Sequence, residues 1–366
     1  MRIGIIGAGQ LGQMLGFAAR QLGMQCRFVD PAPAPPAATC GPVTQAAYDD
    51  GDALAMLAES CDVVSYEFEN VPVEALLKIS DRVRVYPPPA ALGHAQDRLA
   101  EKQLFQQLAI PLADFERVDS LQDLVAAVSR LGLPLVLKTR RLGYDGKGQY
   151  VIRQAAEIET AWQDCGGADL VAEQWINFDY EVSVIAARNV SGDVICYPLT
   201  CNEHAAGILQ TSTAPLQNDL LTRQAEQYVT ALLEHLQYVG VLALEMFVTD
   251  GRLLANEFAP RVHNSGHWSI EGADPSQFTA HLLAISGQNL PTPRLLGHAG
   301  MLNLIGVMPG NLQLPTGATL HDYGKAPRPG RKLGHITVIG DSAASRDTLL
   351  EQVRGTVTRS RPLEDL

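Results

Sequence analysis

The sequence predicts a protein of mixed α/β and α+β class. A small parallel, Rossmann-like α/β unit is expected first, then a larger α+β body and a small β-rich C-terminal unit. Three observations carry this expectation. The short apolar strand Arg2–Ile6 runs directly into a glycine turn and a helix, the usual opening of a parallel sheet. In the middle, the apolar runs Val241–Val248 and Leu253–Phe258 flank Asp250-Gly251, a strong hairpin signal. The last third holds two further strands, Met301–Val307 and His335–Ile339, before one helix at Ser345–Val353. A chain of 366 residues is long enough for two or three domains with cores of their own. The expected divisions are 1–97, 98–287 and 288–366.

Composition narrows the classes of function. Hydrophobic content of 46% and charged content of 19% are ordinary for a globular protein. A formal net charge of −12 argues against a nucleic-acid or acidic-membrane partner, because a phosphate backbone needs a basic surface. A phosphate ester would have to meet local positive charge. Cys26, Cys40, Cys61, Cys165, Cys196 and Cys201 form no C-x-x-C pair and no cluster of zinc spacing, so reduced, mostly core thiols are expected. No apolar run approaches the ~18 residues of a membrane span, and Arg2 with a short apolar run does not read as a signal peptide. The expectation is a soluble cytoplasmic protein.

In residues 1–97, Gly7, Gly9 and Gly12 stand in a G-x-G-x-x-G turn between a strand and the helix Gln13–Leu22, and the strand Gln25–Val29 ends at Asp30. This is the dinucleotide-binding fingerprint in its expected setting. The alternative is that the glycines only permit a tight turn and bind some other phosphate, or none, at the helix N-terminus. Two features weaken the dinucleotide reading. Asp30 leads into the proline-rich loop Pro31–Pro36, and the following unit is short: helices Asp52–Glu59 and Val73–Ile79, strands Asp62–Tyr66 and Val83–Tyr86, with the acidic turn Glu67–Asn70. A second mononucleotide-binding half is missing.

The middle opens on the charged helix Asp97–Leu108, where Arg98 and Lys102 lie one turn apart, on a face that could equally be solvated. After the helix Leu121–Leu131, the strand Leu133–Leu137 closes on Lys138, a place from which an ammonium commonly enters a site. Gly143, Gly146 and Gly148, with Lys147 between, form a loop whose N–H groups could fold over phosphates. It is not a Walker A loop, and an ordinary hairpin turn is the alternative. Leu170–Ile176 and Tyr180–Ala187 read as strands with Glu173 and Glu181 at their facing ends. A hinge of this kind suits an adenine, and a carboxylate suits its ribose; two rim acids would be the bland reading. Val194–Leu199 is a further strand, Cys201–His204 its following loop, and Arg223–Leu236 a helix leading into the hairpin.

That hairpin carries Glu245 and Glu257 where apolar residues are expected. A lone buried carboxylate costs several kcal/mol, so such an acid usually has a cation or hydrogen-bond partner. A two-residue turn at Asp250-Gly251 puts Asn256 opposite Glu245. A three-residue turn, or one bulge, puts Glu257 there instead, about 5 Å away. Two carboxylates that close repel unless a divalent cation lies between them. Arg261, His263, Asn264 and Ser265 follow in a loop able to present donors to an anion. In the last third, Lys325, Arg328, Arg331 and Lys332 make a basic, Pro/Gly-rich loop fit for a phosphate or ribonucleotide.

The order of these features resembles the ATP-grasp superfamily. More closely, GQLG at Gly9–Gly12, YEFENV at Tyr66–Val71, GYDGKGQ at Gly143–Gln149, EQWI and EVSVI across Glu173–Ile185, NEFAPRVHNSGHW at Asn256–Trp268 and RPGRKLGH at Arg328–His335 resemble the 5-(carboxyamino)imidazole ribonucleotide synthases, over essentially the whole chain. The resemblance implies an ATP-grasp fold with an N-terminal pre-ATP-grasp domain and, within the ATP-grasp domain, a lid subdomain at about 115–185. It implies a homodimeric ligase of purine biosynthesis that uses ATP, Mg2+ (two ions, with Mn2+ an alternative), bicarbonate and 5-aminoimidazole ribonucleotide. By motif matching, Arg98, Lys138, Gly143, Tyr144, Asp145, Gly146, Lys147, Gly148, Gln149, Glu173, Gln174, Trp175, Ile176, Glu181, His204, Asn256 and Glu257 would hold ATP. Glu245 and Glu257 would ligate the metal. Gln10, Glu67, Tyr144, Lys147, His263, Asn264, Ser265, Arg331 and Lys332 would face the ribonucleotide, and Arg261, Asp145 and His263 would act in catalysis. In the wider superfamily E-x-N often precedes Pro-Arg, but here Ala259 fills the second place and Asn256 precedes the glutamate, so direct ligation by Asn256 is not implied. Another acyl-phosphate ligase, such as a formate-dependent ribonucleotide transformylase, is the alternative within the superfamily. A nicotinamide-dependent oxidoreductase built on Gly7–Gly12 is the one outside it.

Overall fold

The protein was described from a computed structural model covering residues 1–143 and 148–360. At its N-terminus four parallel strands run in the order Val43–Gln45, Gln25–Asp30, Arg2–Ile6, Val63–Tyr66. The strand expected at Val83–Tyr86 is reduced to a single bridge between Val64 and Val85, because the prolines at 87–89 have no N–H to continue a ladder. The helix Gln10–Gln21 buries Leu11, Met14, Leu15 and Ala18, the i, i+3, i+4, i+7 stripe of an amphipathic helix. These residues share one core with Phe278, Leu282 and Ile285 of the helix Gln277–Ile285. The N-terminal unit and the body are therefore packed as one mass.

His281 sits in that join. Its Nδ1 accepts from the Val241 N–H at 3.1 Å, and its Nε2 lies 2.9 Å from Ser65 Oγ on the N-terminal sheet. Burial lowers its pKa to about 4. In the unfolded chain the ring titrates near 6.5, so this contribution to stability is complete above pH 6.5. It falls as pH drops toward 4, by about 3 kcal/mol in total. Replacing His281→Gln should flatten that limb; urea midpoints measured between pH 7 and pH 4 test it, and an unchanged slope refutes the assignment.

The body has two sheets. A small antiparallel sheet runs in the order Phe115–Val118, Leu170–Gln174, Leu135–Thr139, Gln149–Ile152. The helices Leu121–Leu131 and Ile158–Asp164 close its own core around Leu124, Leu135, Ala161 and Leu170. Lys138 is the next-to-last residue of its strand rather than the last. The large sheet has nine strands. Its main path is Arg252–Ala259, Gly240–Thr249, Tyr180–Arg188, Thr200–Ala205, Ile208–Ala214, His298–Ile305, Lys332–Gly340, Ala318–Asp322. The last three strands come from beyond residue 287, so the sheet runs on without a break into the C-terminal third.

Three of these strands escaped the sequence reading: Thr200–Ala205, Ile208–Ala214 and Ala318–Asp322. Cys201–His204, expected as a loop, lies within the strand Thr200–Ala205, and Ile208–Ala214 pairs with it. Both are rich in Thr, Ser, Asn and Gln because one face carries a buried polar network instead of a hydrocarbon core, and hydrophobic alternation cannot register such strands. All six cysteines are free thiols, four of them buried, as expected. No helix among the described residues is long and apolar enough to cross a membrane.

Candidate active site

The hairpin resolves the register question in a specific way. The turn has two residues, Asp250 and Gly251, with φ of 48° and 69°, the left-handed pair that a twisted two-residue hairpin requires. Left to itself, that turn would set Asn256 against Glu245. A bulge beside Glu245 and Met246 takes up Asn256, so Glu245 faces Glu257. A bulge re-aims the side chain next to it. Here it brings two acids of one hairpin together at the mouth of the sheet.

Their environments push them apart. Burial favours the neutral form of Glu245, but His263, His204 and Lys332 outweigh it and lower the carboxyl to about 2. His263 Nε2 lies 3.2 Å from Glu245 Oε1. Glu257 goes the other way: the surrounding protein and the charge of Glu245 both raise it, against the pull of Arg98 and Lys138. Its side chain nevertheless reaches solvent, as a residue lining a cleft does. Glu101, buried below, accepts the Phe258 N–H at 2.7 Å and fixes the backbone next to Glu257. On the neighbouring strands, His204 Nδ1 is 3.0 Å from Glu181 Oε2. Burial opposes the charged ring, but Glu181 outweighs it and raises His204 above its ordinary value. Among the described residues no group of three or more His, Cys, Asp or Glu is arranged to hold a metal ion by itself. A carboxylate pair fits a divalent cation whose other ligands come from a bound phosphate.

The loop after the hairpin is held from inside. Gln277, fully buried, accepts from the His263 N–H at 2.9 Å and donates to its carbonyl at 2.7 Å. Asn264 is paired both ways with Asn303, at 3.1 and 2.7 Å. Ser265 is fully buried. Of these three expected ligand contacts, His263 reaches the carboxylate pair, whereas Asn264 and Ser265 point into the protein. Arg261 is bound to Glu69 at 2.7 Å and to the Val262 carbonyl at 2.9 Å, tying this loop to the acidic turn of the N-terminal unit.

On the small sheet Lys138 Nζ and Lys102 Nζ each lie 3.0 Å from Glu173 Oε2. Burial alone would raise Glu173; the two ammonium groups reverse that and hold it at about 2. Lys102, left by the sequence reading on a face that could be solvated, is buried against Glu173. Its spacing from Arg98 was visible, but its burial to 2% exposure comes from the tertiary packing around its helix. Arg98 donates to the Thr139 carbonyl at 2.7 Å and the Gly143 carbonyl at 3.1 Å, anchoring the start of the glycine loop. Gly148, at φ 69°, closes that loop against Thr139, and Gln149 begins the returning strand. Tyr144, Asp145, Gly146 and Lys147 lie outside the described residues, as does the tail at 361–366. Gln174, Trp175 and Ile176 form the exposed or half-exposed link between the two sheets, beside the stacked pair Phe178 and Phe247 at 4.6 Å.

The glycine turn holds an internal anion. The N–H groups of Gly9 and Gly12 both donate to the Glu67 carboxylate, and Asp30 accepts from Ala8 N at 2.8 Å, Ala32 N at 2.8 Å and Tyr48 Oη at 3.1 Å. A dinucleotide's pyrophosphate would need the N–H groups that Glu67 takes, which removes the basis for the oxidoreductase alternative. Lys325, reaching over from the basic loop, donates to Gln10 and sits in electrostatic contact with Glu67. Burial, then the neighbouring Arg331, lowers Lys325 to about 8. Arg331 itself donates to the Ala326 carbonyl at 3.2 Å and braces the loop.

Comparison with known proteins agrees in every segment. Residues 1–96 match the ribonucleotide synthetase preATP-grasp domain, 103–278 the ATP-grasp domain and 299–348 the phosphoribosylaminoimidazole carboxylase C-terminal domain. The chain is 47% identical to the N5-carboxyaminoimidazole ribonucleotide synthase of Pseudomonas aeruginosa over 96% of its length and 98% of that protein. It superposes on the N5-carboxyaminoimidazole ribonucleotide synthetase of Thermus thermophilus with a TM-score of 0.94 at 46% identity, covering 97% and 98% of the two chains. The Aspergillus clavatus N5-carboxyaminoimidazole synthase, solved with ADP and 5-aminoimidazole ribonucleotide, gives a TM-score of 0.90 at 30% identity, covering 98% of each chain. With the two-glutamate hairpin, the lysine-bound Glu173 and the continuous nine-stranded sheet, these matches place the chain in the N5-carboxyaminoimidazole ribonucleotide synthase family of ATP-grasp proteins.

Proposed function

We propose that this chain uses ATP and bicarbonate to carboxylate 5-aminoimidazole ribonucleotide, through carboxyphosphate, giving N5-carboxyaminoimidazole ribonucleotide, ADP and phosphate in purine biosynthesis. The observation that carries the reading is the bulge-set pair Glu245 and Glu257, with His263 on one carboxylate and Arg98 and Lys138 within electrostatic reach of the other. Glu245 and Glu257 would hold the divalent ions, two magnesium ions or manganese in their place; when bound, such an ion neutralises charge on the phosphoryl oxygens.

The protein's share of the work is positioning and charge. Lys138, fixed by Glu173, offers a point charge to the phosphates. Gln174–Ile176 and the stacked Phe178 supply main-chain groups and an apolar wall for the adenine, while Glu181 and His204 meet the ribose. Arg261, already oriented by Glu69, presents its guanidinium to bicarbonate. Carboxyphosphate is short-lived in water, so the Gly143–Gln149 loop is assigned the task of covering it. Gln10 and Glu67, joined here by Lys325, and the basic Arg331 and Lys332 face the ribonucleotide, with Asp145 assigned to the amine proton. Homodimeric assembly and a cytoplasmic location belong to the same proposal and rest on the family resemblance. The test is phosphate release from ATP and magnesium. Release that requires both bicarbonate and 5-aminoimidazole ribonucleotide supports the proposal. Release indifferent to that ribonucleotide, or stimulated by formate in place of bicarbonate, sinks it.

A further inference from the structure

Beneath His263 runs a chain of buried polar side chains that no step above uses. Ser212 Oγ donates to Asn202 Oδ1 at 2.8 Å, and Asn202 Nδ2 donates to Ser183 Oγ at 2.9 Å. Ser183 Oγ in turn donates to Ser265 Oγ at 2.7 Å, and Ser265 Oγ lies 2.8 Å from His263 Nδ1. Ser212, Ser183 and Ser265 are fully buried and Asn202 is 4% exposed, so water does not compete for these bonds.

Hydroxyl groups can face either way along such a chain, whereas an amide has one donor end and one acceptor end, and Asn202 turns its nitrogen to Ser183 and its oxygen to Ser212. Asn202 therefore gives the chain a direction. Ser183 accepts from Asn202, so its own hydrogen goes to Ser265; Ser265 then has its hydrogen left for His263 Nδ1. The far end agrees with that direction, through a longer contact. The Ser265 backbone N–H, which can only donate, also points to His263 Nδ1, at 3.3 Å. Two donors converge on Nδ1, which must carry a lone pair. The ring hydrogen is then on Nε2, the atom 3.2 Å from Glu245 Oε1.

We infer that Asn202 and Ser183 are positioning residues that set the tautomer of His263, holding it as an Nε2 hydrogen-bond donor toward Glu245 and the cleft. His263 then orients the Glu245 carboxylate and offers hydrogen to an anion beside it. This deepens the proposed function, and its kinetic consequence rests on that reading. The tautomer itself does not.

The experiment is nitrogen NMR of protein carrying 15N-labelled histidine, with the His263 signals assigned by their loss in His263→Gln. In the unaltered protein the hydrogen is expected on Nε2 and none on Nδ1. Asn202→Asp leaves only acceptors at the centre of the chain, so the hydroxyls turn round and the hydrogen should move, wholly or in part, to Nδ1. Ser183→Ala cuts the chain with little change of shape and should give a mixture of the two forms. A hydrogen on Nδ1 in the unaltered protein overturns the inference. So does an unaltered pattern in Asn202→Asp, or in Ser183→Ala if the Asp variant does not fold. In turnover, Ser183→Ala should lower kcat about tenfold, the scale of groups that orient a ligand-bearing side chain, while KM for ATP stays within about twofold. Failure of ribonucleotide-dependent turnover in the unaltered protein would strike the proposed function and leave the nitrogen result standing.

Discussion

Replacing Glu257→Gln should abolish ribonucleotide-dependent phosphate release, lowering kcat by about three orders of magnitude, while leaving the ligand-free fold intact or slightly firmer. Glutamine keeps the size and one acceptor of the carboxylate but loses its charge. Without a cation, that charge works against folding: the surrounding protein and Glu245 raise the Glu257 carboxyl above its ordinary value. A carboxyl raised on folding makes the fold less stable as pH climbs past the unfolded value. Removing it relieves the repulsion between the two acids and, under the proposed function, takes away one of the two carboxylates assigned to the cation. Steady-state phosphate release and thermal denaturation without ligand, measured on the same preparation, test both halves. Activity within tenfold of the unaltered protein would end the metal-site reading. A large loss of stability would show Glu257 to be structural instead.

Replacing Glu173→Gln should have the largest effect on stability, about 3–5 kcal/mol, because it leaves two ammonium groups buried beside a neutral amide. Lys102 is 2% exposed, and both ammonium groups lie 3.0 Å from Glu173 Oε2, so both lose that counter-charge at once. Glu173 is held at about 2, below its unfolded value near 4.5. Its contribution is therefore complete above pH 4.5 and is lost as pH falls toward 2, by about 3 kcal/mol. This window lies below the His281 limb, so the two can be separated in one acid titration. Denaturant midpoints of Glu173→Gln, and of Lys102→Met, which leaves one balanced pair, provide the check. The Met variant should lose clearly less. Equal losses would mean that packing, and not charge balance, holds the site.

Much of the site was legible in the residues. An acid in an apolar strand needs a partner, and that argument alone singled out Glu245 and Glu257 and the donors that follow them. Lys138 at a strand end and the glycine-rich Gly143–Gln149 stretch were visible for similar reasons of chemistry and spacing. Lys102 was not, because whether a helical lysine is solvated depends on what packs over it. Asn202 was hidden for a second reason. Its strand is polar on both sides of the sequence pattern, and a strand that trades hydrocarbon for a hydrogen-bonded network leaves no periodic trace. Asn264 and Ser265 were read as donors presented to a ligand, whereas their side chains bond to Asn303 and His263 within the protein.

The sequence by itself determined the parallel start of the chain, the hairpin with its two acids, the basic loop before Lys332 and the family they spell out, because each is a local matter of turn chemistry, alternation or motif. Tertiary structure decided the rest. The turn at Asp250-Gly251, read alone, sets Asn256 against Glu245, and the bulge that undoes this leaves no mark in composition. The Gly9–Gly12 turn looks open to a phosphate until Glu67, from another strand end, fills it. The small sheet decides the charge on Glu173, and the strand beside His263 decides where its hydrogen lies. In each case the deciding partner is distant in sequence, and only close packing in three dimensions tells a buried group which neighbour will satisfy it.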